Sequence, residues 1–407
     1  MSSFASVSNA VSTPYSLTGL ATNVITKLAL TPLDETDDTF KFTLAGLNVS
    51  LANALRRTVQ DDIPCYVFDT DKCKIEVNTG RLHNEILKHR LQCIPIHATV
   101  SVEDWLTNHP DHNLFDKYVM ELDVRNDTEH IRYVTTADFK IKNKTSGRLL
   151  AEAEMERLFP KDKITNSVVI FARLRPQISE SIPGEHLKLS CEFAISTAEK
   201  NSAFTAVCCS AYGNTIDQEA SKTAWEKVEA LRVEEYAKRG ETADAAEIAF
   251  QKKNFMILDS QRYFVPNSFD FNIESVGIYS CRELCRTACS ILKTRFEVLA
   301  SEIESNSVSI NQSETTMENC YDFVLEHGDY TIGKVLEYAL YETGFVAKGS
   351  EPSLMYCGFK KFHPHDDHSV IRLGYISKSA DKSWVKSNLK EACLEAAEIF
   401  KAIRAKF

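Results

Sequence analysis

The sharpest patterning in the chain lies between Phe40 and Pro95. Phe40, Phe42 and Leu44 alternate with Lys41 and Thr43, the period of a strand buried on one face. A turn is expected at Ala45 to Asn48, where Gly46 can take positive φ and either Asn48 or Ser50 can cap a helix. That helix, Leu51 to Gln60, is amphipathic. At roughly 100° per residue, Leu51, Ala52, Ala54, Leu55, Thr58 and Val59 share one side, and Asn53, Arg56, Arg57 and Gln60 the other. Pro64 ends it, because the residue before a proline is pushed out of the α region. Tyr66, Phe68 and Lys74 to Val77 read as extended chain, and a second helix, about Leu82 to Leu91, stops before Pro95.

Between His97 and Asp259 the pattern changes. Strand-like runs at Tyr118 to Val124, Ser167 to Leu174, Leu187 to Ala194 and Ala203 to Cys208 lie between polar turns. Glu219 to Lys253, rich in Ala, Glu and Lys, predicts two helices broken at Gly240. Alternation returns at Ser268 to Val276, with Phe269, Phe271 and Ile273 on one face. In a long helix, about Arg282 to Ile303, the positions Cys281, Cys285, Ala288, Leu292, Phe296, Leu299 and Ile303 make a continuous apolar seam. Residues 304–318 are polar and Ser/Asn-rich, as in a linker. A C-terminal helix, about Lys382 to Lys406, carries a second seam through Val385, Leu389, Ala392, Ala396, Ile399 and Ile403.

The chain also echoes itself. Phe323 to Leu336 (FVLEHGDYTIGKVL) aligns without gaps on Phe42 to Leu55 (FTLAGLNVSLANAL), and Thr331-Ile332-Gly333 stands over Ser50-Leu51-Ala52. Each copy reads as strand, tight turn, hydroxyl cap and amphipathic helix. The echo predicts an α+β fold with two related domains that could pack about a pseudo-two-fold axis; that these are dimerisation domains paired within one chain is what the family resemblance given below implies. The first would be discontinuous, 24–96 and 260–303, and the second would span 319–407. An inserted mainly β domain with a helical excursion would occupy 97–259, the linker 304–318, and a mobile tail 1–23. The same resemblance implies that Leu51, Leu55, Ile332 and Leu336 of the cap helices meet the seam residues Cys285, Leu292, Phe296, Leu389, Ala396 and Ile403 across an intrachain interface.

Composition narrows the function. The 407 residues allow two or three domains. A formal net charge of -10 argues against a surface that coats nucleic acid. The N-terminus lacks the basic and apolar regions of a signal peptide, and no run approaches the roughly 20 apolar residues of a membrane span. Twelve scattered cysteines fit reduced thiols. A soluble, intracellular protein is expected.

Four blocks in order, Asn48 to Arg57 (NVSLANALRR), Ile63-Pro64, Glu76 to Thr79 (EVNT) and His89 to Pro95 (HRLQCIP), resemble the signature of the α-like subunits of RNA polymerase, namely the eukaryotic third-largest subunit and its archaeal D-type counterpart. His327 to Leu340 (HGDYTIGKVLEYAL), Tyr356 to Pro364 (YCGFKKFHP) and Ile371-Arg372-Leu373 resemble their small partner, the eukaryotic eleventh subunit or its archaeal L-type counterpart. Such a fusion is similar to the version in large nucleocytoplasmic DNA viruses, which would place it in the virion and host cytoplasm. The resemblance implies a non-catalytic assembly subunit that nucleates binding of the two largest subunits and contacts smaller ones. DNA and RNA would be met only through the complex, and no membrane is involved. It turns Asn53, Arg56, Arg57 and Gln60 from a solvated helix face into a surface for the second-largest subunit, and gives Glu85, His89 and Arg90 a docking or structural role. No catalytic residue, cofactor or metal is expected. Many relatives hold a four-cysteine cluster in the inserted domain, where this chain has only Cys191, Cys208 and Cys209. His109 and His112 form an isolated HxxH. The competing reading is a free-standing metal- or thiol-dependent enzyme using His363, His365, Asp366 and His368, or the cysteines Cys281, Cys285 and Cys289. A hairpin turn and small buried hydrophobes are the plainer readings of these groups.

Overall fold

The computed structural model describes residues 19–107, 113–179, 181–240, 244–314, 318–346, 354–376 and 380–407. The tail expected over 1–23 falls outside them up to residue 18. In chain order the elements are α1 (Leu20–Lys27), β1 (Ala29–Glu35), β2 (Thr39–Ala45), α2 (Val49–Asp61), β3 (Cys65–Asn78), α3 (Asn84–Gln92), α4 (Val102–Leu106), β4 (Tyr118–Arg125), β5 (Arg132–Thr135), β6 (Lys140–Asn143), α5 (Glu152–Leu158), β7 (Ile170–Leu174), β8 (His186–Ser196) and β9 (Val207–Ile216). They continue with α6 (Gln218–Lys238), α7 (Ala245–Ile257), β10 (Phe264–Ser275), α8 (Cys281–Glu304), β11 (Ser309–Gln312), β12 (Cys320–Glu326), α9 (Tyr330–Tyr341), β13 (Leu354–Lys360), β14 (His368–Tyr375) and α10 (Lys382–Arg404). This is the expected α+β class, built on antiparallel pairing.

The described chain divides into two compact units, 57–209 with 274–295, and 19–56 with 210–273 and 296–407. The first unit is organised on the sheet β3-β8-β4-β6 and the smaller ribbon β5-β7. Period-2 burial along β8, where Leu187, Leu189, Cys191 and Phe193 point inward, builds its core with Phe68, Met120, Leu122, Phe139 and Phe171. Tyr279 pins the unit's edge: its hydroxyl donates to Pro64 O at 2.6 Å and accepts from Val100 N at 2.9 Å. Asp62 and Arg295 form a bidentate ion pair, both contacts 2.9 Å.

The second unit contains two sheets of one design. Their orders are β1-β2-β10-β9 and β11-β12-β14-β13. In each, a helix follows the second strand (α2, α9) and a long helix follows the strand third in spatial order (α8, α10). The internal echo in the sequence is therefore a repeat of topology. Phe40, Phe42 and Leu44 are fully buried, and Phe42 stacks on Phe271 at 5.0 Å, with Phe407 edge-on at 5.2 Å. Phe296 of α8 stacks on Phe400 of α10 at 5.9 Å, and Lys390 pairs with Glu304 at 2.9 Å. Leu389, Ala396 and Ile403 have no accessible surface.

Several boundaries differ from the patterning. Most of β9, from Ser210, falls in the second unit with α6 and α7, because β9 hydrogen-bonds beside β10 and not within the inserted sheet. β3, placed by pattern in the first dimerisation domain, pairs with β8. The stretch 304–318 contains β11, which pairs with β12.

Candidate functional site

The helix α2 is positioned by its start. Gly46 takes φ +87°, and its N–H donates to Asn267 O at 2.8 Å. Asn48, not Ser50, is the cap: its Oδ1 accepts from Ser50 N at 2.9 Å. Leu51, Ala52, Ala54, Leu55, Thr58 and Val59 are buried, and this fixes which side the polar residues occupy. Asn53, Arg56 and Arg57 are half-buried and Gln60 is exposed. Arg56 Nε donates to Asn53 Oδ1 at 3.1 Å, while the Arg56 carbonyl accepts from Ser210 Oγ at 2.9 Å. The guanidinium is thus oriented along the helix by a neighbour one turn back.

On α3, His83 caps the helix through Nδ1, and Glu85, Ile86, His89 and Arg90 are exposed. Arg90 has a defined task within the first unit. Its Nε and Nη2 donate to the carbonyls of Phe171 and Ile170 at 2.6 and 2.8 Å, tying α3 to β7. The fork geometry of Arg suits two successive carbonyls. Sequence pattern gives no sign of that contact, 80 and 81 residues away, nor of the Asp62–Arg295 pair.

Of the expected interface residues, Leu51, Leu55, Leu336, Cys285, Leu292 and Phe296 are buried, and Ile332 is half-buried. Val335 is the fully buried neighbour on α9. Asp329, not Thr331, caps α9, accepting from Thr331 N at 2.8 Å.

The His/Asp cluster forms the turn between β13 and β14. His363 N donates to Asp366 Oδ2 at 2.9 Å, and His363 Nδ1 accepts from His365 N at 3.1 Å. That ring nitrogen is committed to the backbone, and His368 already belongs to β14. Among the described residues no three His, Cys, Asp or Glu side chains are grouped to hold a metal. His109 and His112 lie outside the described residues. Cys281, Cys285 and Cys289 are buried in α8, and burial pushes the Cys285 thiol well up, which disfavours the reactive thiolate. No described helix is long and apolar enough to cross a membrane.

The model of the RNA polymerase Rpb3/Rpb11 dimerisation domain matches residues 41–296. DNA-directed RNA polymerase subunit Rpo3 of Pyrococcus furiosus is 41% identical over 68 residues, 17% of this chain and 25% of that protein. DNA-directed RNA polymerases I and III subunit rpac1 of Dictyostelium discoideum is 25% identical over 189 residues, 44% of this chain and 50% of the relative. The matched region thus spans a quarter to a half of these two polymerase subunits. A conjugation stage-specific protein of Tetrahymena thermophila is 24% identical over 311 residues, 69% of this chain and 96% of its own length.

Proposed function

The chain belongs to the RNA polymerase Rpb3/Rpb11 dimerisation family, and from that premise we propose that it is a non-catalytic assembly subunit of a multi-subunit DNA-directed RNA polymerase. The observation that carries the reading is the repeated strand order, β1-β2-β10-β9 and β11-β12-β14-β13. Two sheets of one strand order, each with its short and its long helix, are what a dimerisation fold requires of two partners. On this reading both partners are fused in one chain, the form that resembles the subunit of large nucleocytoplasmic DNA viruses, where virion and host cytoplasm would be its sites of action.

The two largest subunits would carry the nucleotidyl-transfer centre, and this chain would hold them in place. Asn53, Arg56, Arg57 and Gln60 of α2 are the proposed contacts for the second-largest subunit, because Arg pairs bidentately with carboxylates and is enriched at interface hot spots. Glu85 and His89 of α3 would add a separate contact, with Arg90 acting through the placement of β7. Smaller subunits complete the assembly, and nucleic acid is reached only within it. Affinity purification of the tagged full-length chain from its native cell tests this: the two largest polymerase subunits should co-purify in equal amounts. Recovery without them would overturn the reading.

A further inference from the structure

A feature of the first unit unrelated to docking is the irregularity between β3 and β8. Asp69 stands opposite Glu192 and Lys74 opposite Ser190, so four residues of β3 face the single residue Cys191. Continuing the Lys74–Ser190 register by one step places Cys73 directly across from Cys191. Directly opposed residues of an antiparallel pair have Cβ atoms about 4.5–5.5 Å apart, close to the roughly 3.5–4.5 Å that a disulfide spans. Both side chains enter the same core cluster, beside Phe68 and Phe193. Each thiol perturbs the other's titration, as neighbours do, and Cys191 Sγ donates to Asp69 O at 3.3 Å.

We infer that Cys73 and Cys191 are a redox-responsive pair that closes to a cross-strand disulfide with a small disulfide of the glutathione class as oxidant. The roles of the two sulfurs differ. The neighbouring thiol and burial together push the Cys191 thiol up. Access differs in the same sense. Asp71, Lys72 and Lys74 of the bulge are exposed, and Cys73 at its rim keeps 8% of its surface against 0% for Cys191. Cys73 is the attacking thiol and Cys191 the resolving one. The Cys73 thiolate attacks one sulfur of the glutathione disulfide, whose S–S bond breaks and releases one glutathione thiolate. Cys191 then attacks the Cys73 sulfur, its proton passing to the departing glutathione sulfur, so that the second glutathione leaves as a thiol. Two protein thiols are oxidised and one glutathione disulfide is reduced to two thiols. The new bond would tie β3 to β8 across the bulge and constrain the unfolded chain.

The test is native incubation of the full chain with glutathione disulfide, an alkylating quench and non-reducing peptide mapping. We expect a Cys73–Cys191 peptide pair lighter by two hydrogens, released by reductant, and an upward shift in melting temperature. Cys191→Ser should trap glutathione on Cys73, whereas Cys73→Ser should leave Cys191 unmodified. A merely structural buried pair would not give that asymmetry. Wild-type mapping decides the matter even if either variant fails to fold. Glutathione on the exposed Cys93 and Cys208 with Cys73 and Cys191 still reduced would overturn the proposal.

Discussion

Asp62 and Arg295 illustrate how much a single residue pair can decide. Asp62 is 6% exposed, and the two bonds from Arg295 are its compensation for burial. Arg295→Met should destabilise the first unit by about 2–3 kcal/mol, below the roughly 3–5 expected for a fully buried pair, because Arg295 itself is partly exposed. Denaturant unfolding measures it. Glu395 gives a pH prediction. Its Oε2 accepts from Ala21 N at 2.5 Å, yet burial raises its pKa, and Glu391 and Glu398 push the same way. The folded state then holds the proton more tightly than the unfolded one. Its contribution to stability is present below the ordinary carboxylate range and is lost as pH rises through the raised value. Glu395→Gln keeps an acceptor for Ala21 N and removes the charge. The variant should melt higher than the wild type at pH 8, with a flatter pH profile; a lower melting point at pH 8 would contradict the account. Neither residue was legible in the chain. Asp62 is one half of an Asp61-Asp62 pair with no motif around it, Glu395 is a lone carboxylate among the α10 seam positions, and their partners are hundreds of residues away.

Among the elements, α2 shows what local pattern can specify. Alternation into Gly46, an Asn two residues later and an apolar stripe define strand, turn, cap and helix with no long-range information. Gly46→Ala should destabilise the second unit by more than the roughly 1–2 kcal/mol of left-handed strain, since a Cβ there would lie 2.2 Å from Lys27 O. Asn48→Ala and Asp329→Ala should each cost about 1 kcal/mol, read from the midpoint of urea unfolding. Where local signals compete, pattern is less decisive. Asp329 and Thr331 are both good caps, and only backbone geometry selects Asp329. β11 is hidden in a polar stretch because its pairing with β12, not its own hydrophobicity, makes it a strand. The same is true of β9, whose neighbour β10 arrives after two intervening helices.

For the whole molecule, the repeated sheet order was legible only as a faint echo of fourteen residues, because topology conserves the shape of a repeat after its side chains have diverged. The seams were clearer: period and apolarity marked α8 and α10, although the stacking of Phe296 on Phe400 lies partly outside them. Leu389→Asp with Ile399→Asp should unfold the second unit, since each places an uncompensated charge where no more than 1% of the side chain is accessible. Limited proteolysis would show it. The claim on which everything else depends is that the chain docks a large polymerase subunit through α2. The most direct measurement is the equilibrium binding of the purified full-length chain to the purified second-largest polymerase subunit, for wild type and Arg56→Glu/Arg57→Glu. The account predicts an equimolar wild-type complex. The double variant should keep its melting temperature and lose about 2–5 kcal/mol of binding, roughly a 30- to several-thousand-fold rise in Kd. Equal affinity of variant and wild type, or no complex with the wild type at micromolar concentration, would contradict it.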